Sequence, residues 1–164
     1  MSAFDRILAF TLHHEGGFVN NPADPGGRTD HGISERYHPD AWADGKVTAE
    51  EAAVIYRAKY WNAAGCDRFA DPIAMVLFEC AVNPGLVRGC QFLQAALGVE
   101  VDGRIGPVTI VRARSSDALV IALRMVEARS GYWIAKSSEG QKIRFLDGWM
   151  NRSEALRAEL LKGG

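Results

Sequence analysis

The segment His14-Glu15-Gly16-Gly17 is followed within fifteen residues by Asp24, Thr29 and Asp30, all in a loop rich in glycine and proline. A structural loop needs the glycines and prolines but not the carboxylates. Two or three carboxyl groups on facing segments can do general acid–base work, one giving a proton while another steadies charge or a water. Glycoside cleavage needs that arrangement: a protonated carboxyl at the leaving oxygen and a second carboxylate near the anomeric carbon or its water. Glu15 is the candidate acid, and Asp24 and Asp30 are the candidate second groups. On spacing alone Asp24-Pro25-Gly26-Gly27 also reads as a plain turn, with Asp24 bonding its own backbone.

Other chemistries fit less well. His14-Glu15 begins like H-E-x-x-H, but position 18 is Phe, so the second metal ligand is missing. His13, His14, His31 and His38 lack ligand spacing, and no metal or cofactor is expected. A G-x-S-x-G elbow is absent, and the glycine loop lacks the Lys-Ser/Thr end of a phosphate loop. Cys66, Cys80 and Cys90 are an odd count without metal spacing. Cys80 and Cys90 sit among apolar residues and read as small core hydrophobes.

The elements that must position Glu15 are helices joined by Gly/Pro loops. Phe4, Ile7, Leu8 and Thr11-Leu12 predict a first helix over 2–14, stopped by Gly16-Gly17. Glu15 then lies at the helix C-terminus, where the dipole opposes the charged carboxylate. Thr29, Ile33 and Tyr37 support a short β-hairpin. A capping box at Thr48 and Glu51 starts a second helix running through Tyr60-Trp61. Asp71-Pro72 reads as N-cap and N1 of a buried third helix that Asn83-Pro84-Gly85 breaks. Further helices carry Val87 to Leu97, begin at Pro107, follow a Ser116 or Asp117 cap, and run near Trp149 to Leu161. The expectation is a mainly α fold with at most a small β-hairpin in the loop after Glu15.

Composition sets limits. The 164 residues are 48% hydrophobic and 24% charged, as in an ordinary globular chain, with net charge −1. That balance argues against a dedicated nucleic-acid binder. Charge is uneven: residues 1–85 carry 7 Lys+Arg against 12 Asp+Glu, and residues 86–164 carry 12 against 8. A basic half beside an acidic one suits an anionic polymer and equally suits ordinary surface variation. Arg88, Arg104, Arg112 and Arg114 could hold such a polymer. No signal segment is visible at the N-terminus, and the apolar run 73–82 is too short to span a membrane, so no stable insertion is expected.

The run from Glu15-Gly16-Gly17-Phe18-Val19 through Asp24-Pro25-Gly26-Gly27-Arg28-Thr29 to Gly32-Ile33-Ser34 resembles the signature of glycoside hydrolase family 108 type N-acetylmuramidases. These are lysozyme-like, mainly helical enzymes of phage endolysins and bacterial relatives. The likeness continues through Tyr60-Trp61 and Leu77-Phe78…Asn83. Phe92-Leu93-Gln94…Val101-Asp102-Gly103…Ile105-Gly106-Pro107 then resembles the predicted peptidoglycan-binding region that follows in the family. It covers roughly residues 8–155 and implies a lysozyme-like region over 1–88 and a helical wall-binding region over 89–164, packed as one compact body.

The resemblance implies cleavage of the β-1,4 bond between N-acetylmuramic acid and N-acetylglucosamine. Glu15 matches the catalytic Glu. Asp24 and Thr29 lie near the Asp and Thr of the wider phage-lysozyme pattern, Thr29 one residue closer to the Glu than in that pattern. Tyr60 and Trp61 are candidates to stack on sugar rings, or to fill core, and Asn83 to bond an acetamido group, or to cap its helix. Asn21 stands where the family commonly has Asp, Pro84 replaces a small polar residue, and Glu79 keeps an acid where Asp is frequent. Implied partners are peptidoglycan strands and a holin that passes the protein from the cytoplasm to the wall; a monomer is expected. A lytic transglycosylase using Glu15 alone, and a non-enzymatic wall-binding or secretion-helper module, are the alternatives.

Overall fold

A computed structural model describes residues 1–20, 27–137 and 145–162. The chain divides into two units, Met1–Lys59 and Tyr60–Gly164.

The first unit opens with α1, Ala3–Glu15. Ser2 caps it: the Asp5 amide donates to the Ser2 hydroxyl at 3.2 Å, and the Ser2 amide donates to the Asp5 carboxylate at 3.0 Å. Phe4, Ile7, Leu8 and Thr11 form its buried stripe, at the spacing that an amphipathic helix requires. Gly16 ends α1 with φ 84°, a conformation open to glycine and costly for other residues. Two short antiparallel strands follow, β1 (Thr29–Asp30) and β2 (Ile33–Ser34), with Thr29 opposite Ser34 and Asp30 opposite Ile33. Thus the expected hairpin is present, ending at Ser34 and short of Tyr37. Pro39–Trp42 is a 3₁₀ turn that periodicity did not indicate. The α2 helix, Ala49–Tyr56, begins at the expected Thr48–Glu51 capping box. Beyond it the expected helix continues as a wider π-type turn over Arg57–Asn62.

The second unit is all helical among its described residues. It contains α3 (Asp71–Cys80), α4 (Leu86–Leu97), α5 (Pro107–Arg114), α6 (Ala118–Ser137) and α7 (Leu146–Leu161). Helix α3 is capped by Ala70, not by Asp71 as the sequence suggests. Asp71 is instead its first helical residue, where the positive end of the dipole favours a carboxylate. Of the two expected caps for α6, Asp117 serves: its carboxylate accepts from the Val120 amide at 3.0 Å. Ser116 turns back and donates to the Arg112 carbonyl. Helix α6 packs against α3, α4 and α7. The stretch Asp71–Leu97 is long and apolar enough to cross a membrane, but its most apolar window is 61% buried within the protein, as befits core helices. Cys66, Cys80 and Cys90 are free and buried, and burial pushes the Cys80 thiol up to about 12.

Two polar devices tie this unit together. Gln94, buried on α4, donates to the Asp102 carboxylate (2.6 Å) and the Arg104 carbonyl (3.0 Å), and accepts from the Gly103 amide (2.7 Å). The Asp102-Gly103 turn is therefore a fold element. Glu79 on α3 is fully buried and accepts from Arg152 of α7 at 2.5 and 3.3 Å and from Arg129 of α6 at 3.4 Å. Removing one partner from such a cluster leaves buried charge uncompensated. Glu79→Gln is expected to lower unfolding free energy by about 3 kcal/mol in a urea titration.

Candidate active site

The first unit assembles a site around Glu15. The chain passes Val19 and returns at Thr29, where the two backbones bridge: Val19 donates to the Thr29 carbonyl at 2.7 Å, and Thr29 donates back at 2.9 Å. Between them, residues 21–26 lie outside the described residues, and Asp24 and Asn21 with them. Thr29 is half-buried in β1, bridged to Val19 on one side and paired with Ser34 on the other.

The hairpin tip is His31-Gly32, with φ of 50° and 73°. Positive φ at both central residues is the type I′ turn, whose twist matches the flanking strands. Gly32 is needed for a second reason. A Cβ there would stand 3.3 Å from both Cβ and Cγ of Glu15 and would overlap the Tyr56 hydroxyl. The bare backbone of the tip thus lies against the stem of Glu15. Tyr56, 2% exposed at the end of α2, holds it there by donating its hydroxyl to the His31 carbonyl at 3.2 Å.

The base of the hairpin is fixed by Arg28. Its guanidinium reaches Glu35 with two bonds, 2.9 and 2.7 Å, and lies 4.9 Å from the centre of the Trp42 ring. The hydrogen bond from Arg28 holds the Glu35 carboxyl below the usual carboxylate range. Trp42 in turn donates its ring N–H to the Ile33 carbonyl at 3.2 Å. Asp30 shares its strand-pair position with buried Ile33, and its carboxylate lies 3.0 Å from His31 Nδ1. Glu15 itself is half-buried, its stem covered by the turn. A carboxyl fixed at its stem in this way can present a proton to a bound oxygen with little orientational freedom left to lose.

The remaining sequence candidates lie in the second unit. Trp61 is 4% exposed; its N–H donates to Asp67 at 2.7 Å and its ring packs against Phe78. A ring so covered has no face to offer a sugar, so of its two expected roles Trp61 takes the core one. Tyr60 is half-buried. Asn83 is also half-buried and breaks the helical path between α3 and α4 with φ −153° and ψ 110°. Among the described residues no group of three His, Cys, Asp or Glu side chains converges as metal ligands would.

Tyr56, Arg28 and Trp42 escaped the sequence reading as site components. Tyr56 looks like one more apolar position of α2, and nothing in local spacing connects it to a carbonyl 25 residues away. Arg28 and Glu35 do carry a signal, opposite charges flanking a hairpin pattern.

The family model for glycosyl hydrolase 108 matches residues 8–85, and the model described as a predicted peptidoglycan domain matches residues 88–154. Among solved structures, SagA of Brucella abortus is similar at 30% identity with a TM-score of 0.76. The alignment covers 97% of this chain and 94% of that one. No curated protein sequence matches the chain.

If the tip orients Glu15, crowding it should cost turnover and not folding alone. Gly32→Ala is expected to lower kcat on peptidoglycan by about a hundredfold. Tyr56→Phe, which keeps the packing and loses the hydroxyl that bonds the His31 carbonyl, should lower kcat about fivefold with KM unchanged. Steady-state assays of both variants, with folding checked by circular dichroism, test this.

Proposed function

We infer, for a chain that belongs to the glycosyl hydrolase 108 family and is a glycoside hydrolase acting on peptidoglycan, that the bond cut is the β-1,4 link from N-acetylmuramic acid to N-acetylglucosamine. Glu15 is the general acid. The observation that carries this reading is the seating of the Glu15 stem beneath the Gly32 turn, within the segment matched by the family model. No other carboxylate on α1 after Asp5 competes for the role.

In the proposed reaction Glu15 protonates the leaving oxygen, and positive charge develops on the muramic ring. Asp24 guides a water or steadies that charge, and Thr29 helps to orient the water from the strand beside the turn. Separation of the two carboxyl groups sets the stereochemistry, about 5–5.5 Å for retention and about 6.5–9.5 Å for inversion. Tyr60 and Asn83 contribute sugar contacts, with Trp61 supporting Tyr60 from the core. The proposed setting is a phage or prophage endolysin, monomeric, made in the cytoplasm and passed to the periplasmic wall by a holin.

Glu15→Gln keeps the size of the side chain and loses its proton. It is expected to slow clearing of purified peptidoglycan by about two to four orders of magnitude while leaving the melting transition in place. Equal clearing by both proteins would remove Glu15 as the essential acid.

A further inference from the structure

The second unit holds a groove of about 410 Å³ lined by Pro84, Gly85, Leu86, Val87, Arg88, Gln91 and Tyr132. Its features are mixed in a particular way. Arg88 and Gln91 are three apart on α4 and share a face. The Arg88 guanidinium lies 4.9 Å from the centre of the Tyr132 ring on α6. Phe92 and Trp133 pack against that ring with centroids at 5.9 and 4.9 Å, so the shelf beneath Arg88 is well supported. Among the described residues no carboxylate pairs with Arg88. Pro84, Leu86 and Val87 supply apolar wall. Gly85, with φ 124° and open space where a Cβ would be, presents bare backbone.

We propose that this groove binds the acidic peptide stem of peptidoglycan, with Arg88 taking a stem carboxylate. The proposal rests on the family's action on peptidoglycan and not on the role of Glu15. A guanidinium stacked on an aromatic ring is held in orientation and keeps its donor fork for a carboxylate. The apolar wall suits the alanine methyl beside that carboxylate, and Gln91 can pair with the adjoining peptide group. A sugar is a poorer fit. Pyranose stacking needs an open aromatic face, and the Tyr132 face is occupied by Arg88.

The test is a nuclear magnetic resonance titration of the full chain. The probes are N-acetyl-L-alanyl-D-glutamate, the same dipeptide with both carboxylates amidated, and a tetramer of N-acetylglucosamine. None contains the bond assigned to Glu15, so the outcome is independent of catalysis. The acidic dipeptide is expected to shift the resonances of Arg88 Nε, the Gln91 amide and the Tyr132 ring saturably. Arg88→Ala should weaken it about tenfold, and Arg88→Lys, which keeps charge but loses the fork, by less. Both substitutions are at an exposed position, and unchanged amide spectra elsewhere establish that they fold. Equal binding of the amidated dipeptide, shifts by the sugar tetramer alone, shifts confined to other residues, or undiminished binding to Arg88→Ala would each overturn the proposal.

Discussion

The contact on which the first unit depends is the one between the Gly32 backbone and the stem of Glu15. The contact is this close because no side chain stands at position 32, where a Cβ would crowd the stem at 3.3 Å and overlap the Tyr56 hydroxyl. It also imposes the rest of the local design. A tip that presses flat on a helix end needs a tight turn, and the I′ geometry at His31-Gly32 provides it. Such a turn needs an anchor from behind, which is the Tyr56 hydroxyl. Its strands, two residues each, are too short to hold register alone. Arg28, Glu35 and Trp42 therefore brace the base, and the Val19–Thr29 bridge closes the loop that begins after Glu15. Of the signature residues, Arg28, Thr29 and Gly32 each take part in this support.

The second unit solves a different problem. Its helices bury an acid, Glu79, that apolar packing alone would not tolerate. Arg129 and Arg152 make it tolerable by joining α3, α6 and α7 at one point. Gln94 does the same at the α4 end with uncharged groups, pinning the Asp102-Gly103 turn by three bonds. In both cases a polar side chain specifies which elements meet, while the surrounding apolar residues supply the bulk of the burial. The groove above α4 lies beside these fixed points, so its lining is carried on braced helices.

Much of this was legible because local rules govern it. Thr48 with Glu51 marks its own helix start, Gly16 marks the end at Glu15, and Gly32 lies among the strand formers Thr29, Ile33 and Tyr37. Where sequence reasoning erred, a longer-range contact or a near-equivalent neighbour decided the outcome. Ala70 caps α3 in place of Asp71, a shift of one residue between two plausible starts. Trp61 leaves stacking and core filling open in the sequence, and the enclosing Asp67 and Phe78 decide for the core. The Tyr56–His31 bond and the Glu79 cluster join residues far apart in the chain, and no periodicity reports such pairs. Asp24 was readable as a candidate from its motif and falls among residues 21–26, outside those described.

The central claim is that water cleaves the muramic bond after Glu15 protonates it. Digesting peptidoglycan with the native chain in water enriched in heavy oxygen, and weighing the released fragments, tests it most directly. One heavy oxygen is expected at each new end, and that end is expected to be a reducing N-acetylmuramic acid. Unlabelled anhydro-muramic ends would contradict it, since the sugar's own hydroxyl would then have replaced water. Label on N-acetylglucosamine ends would contradict it as well, because a different bond would have been cut.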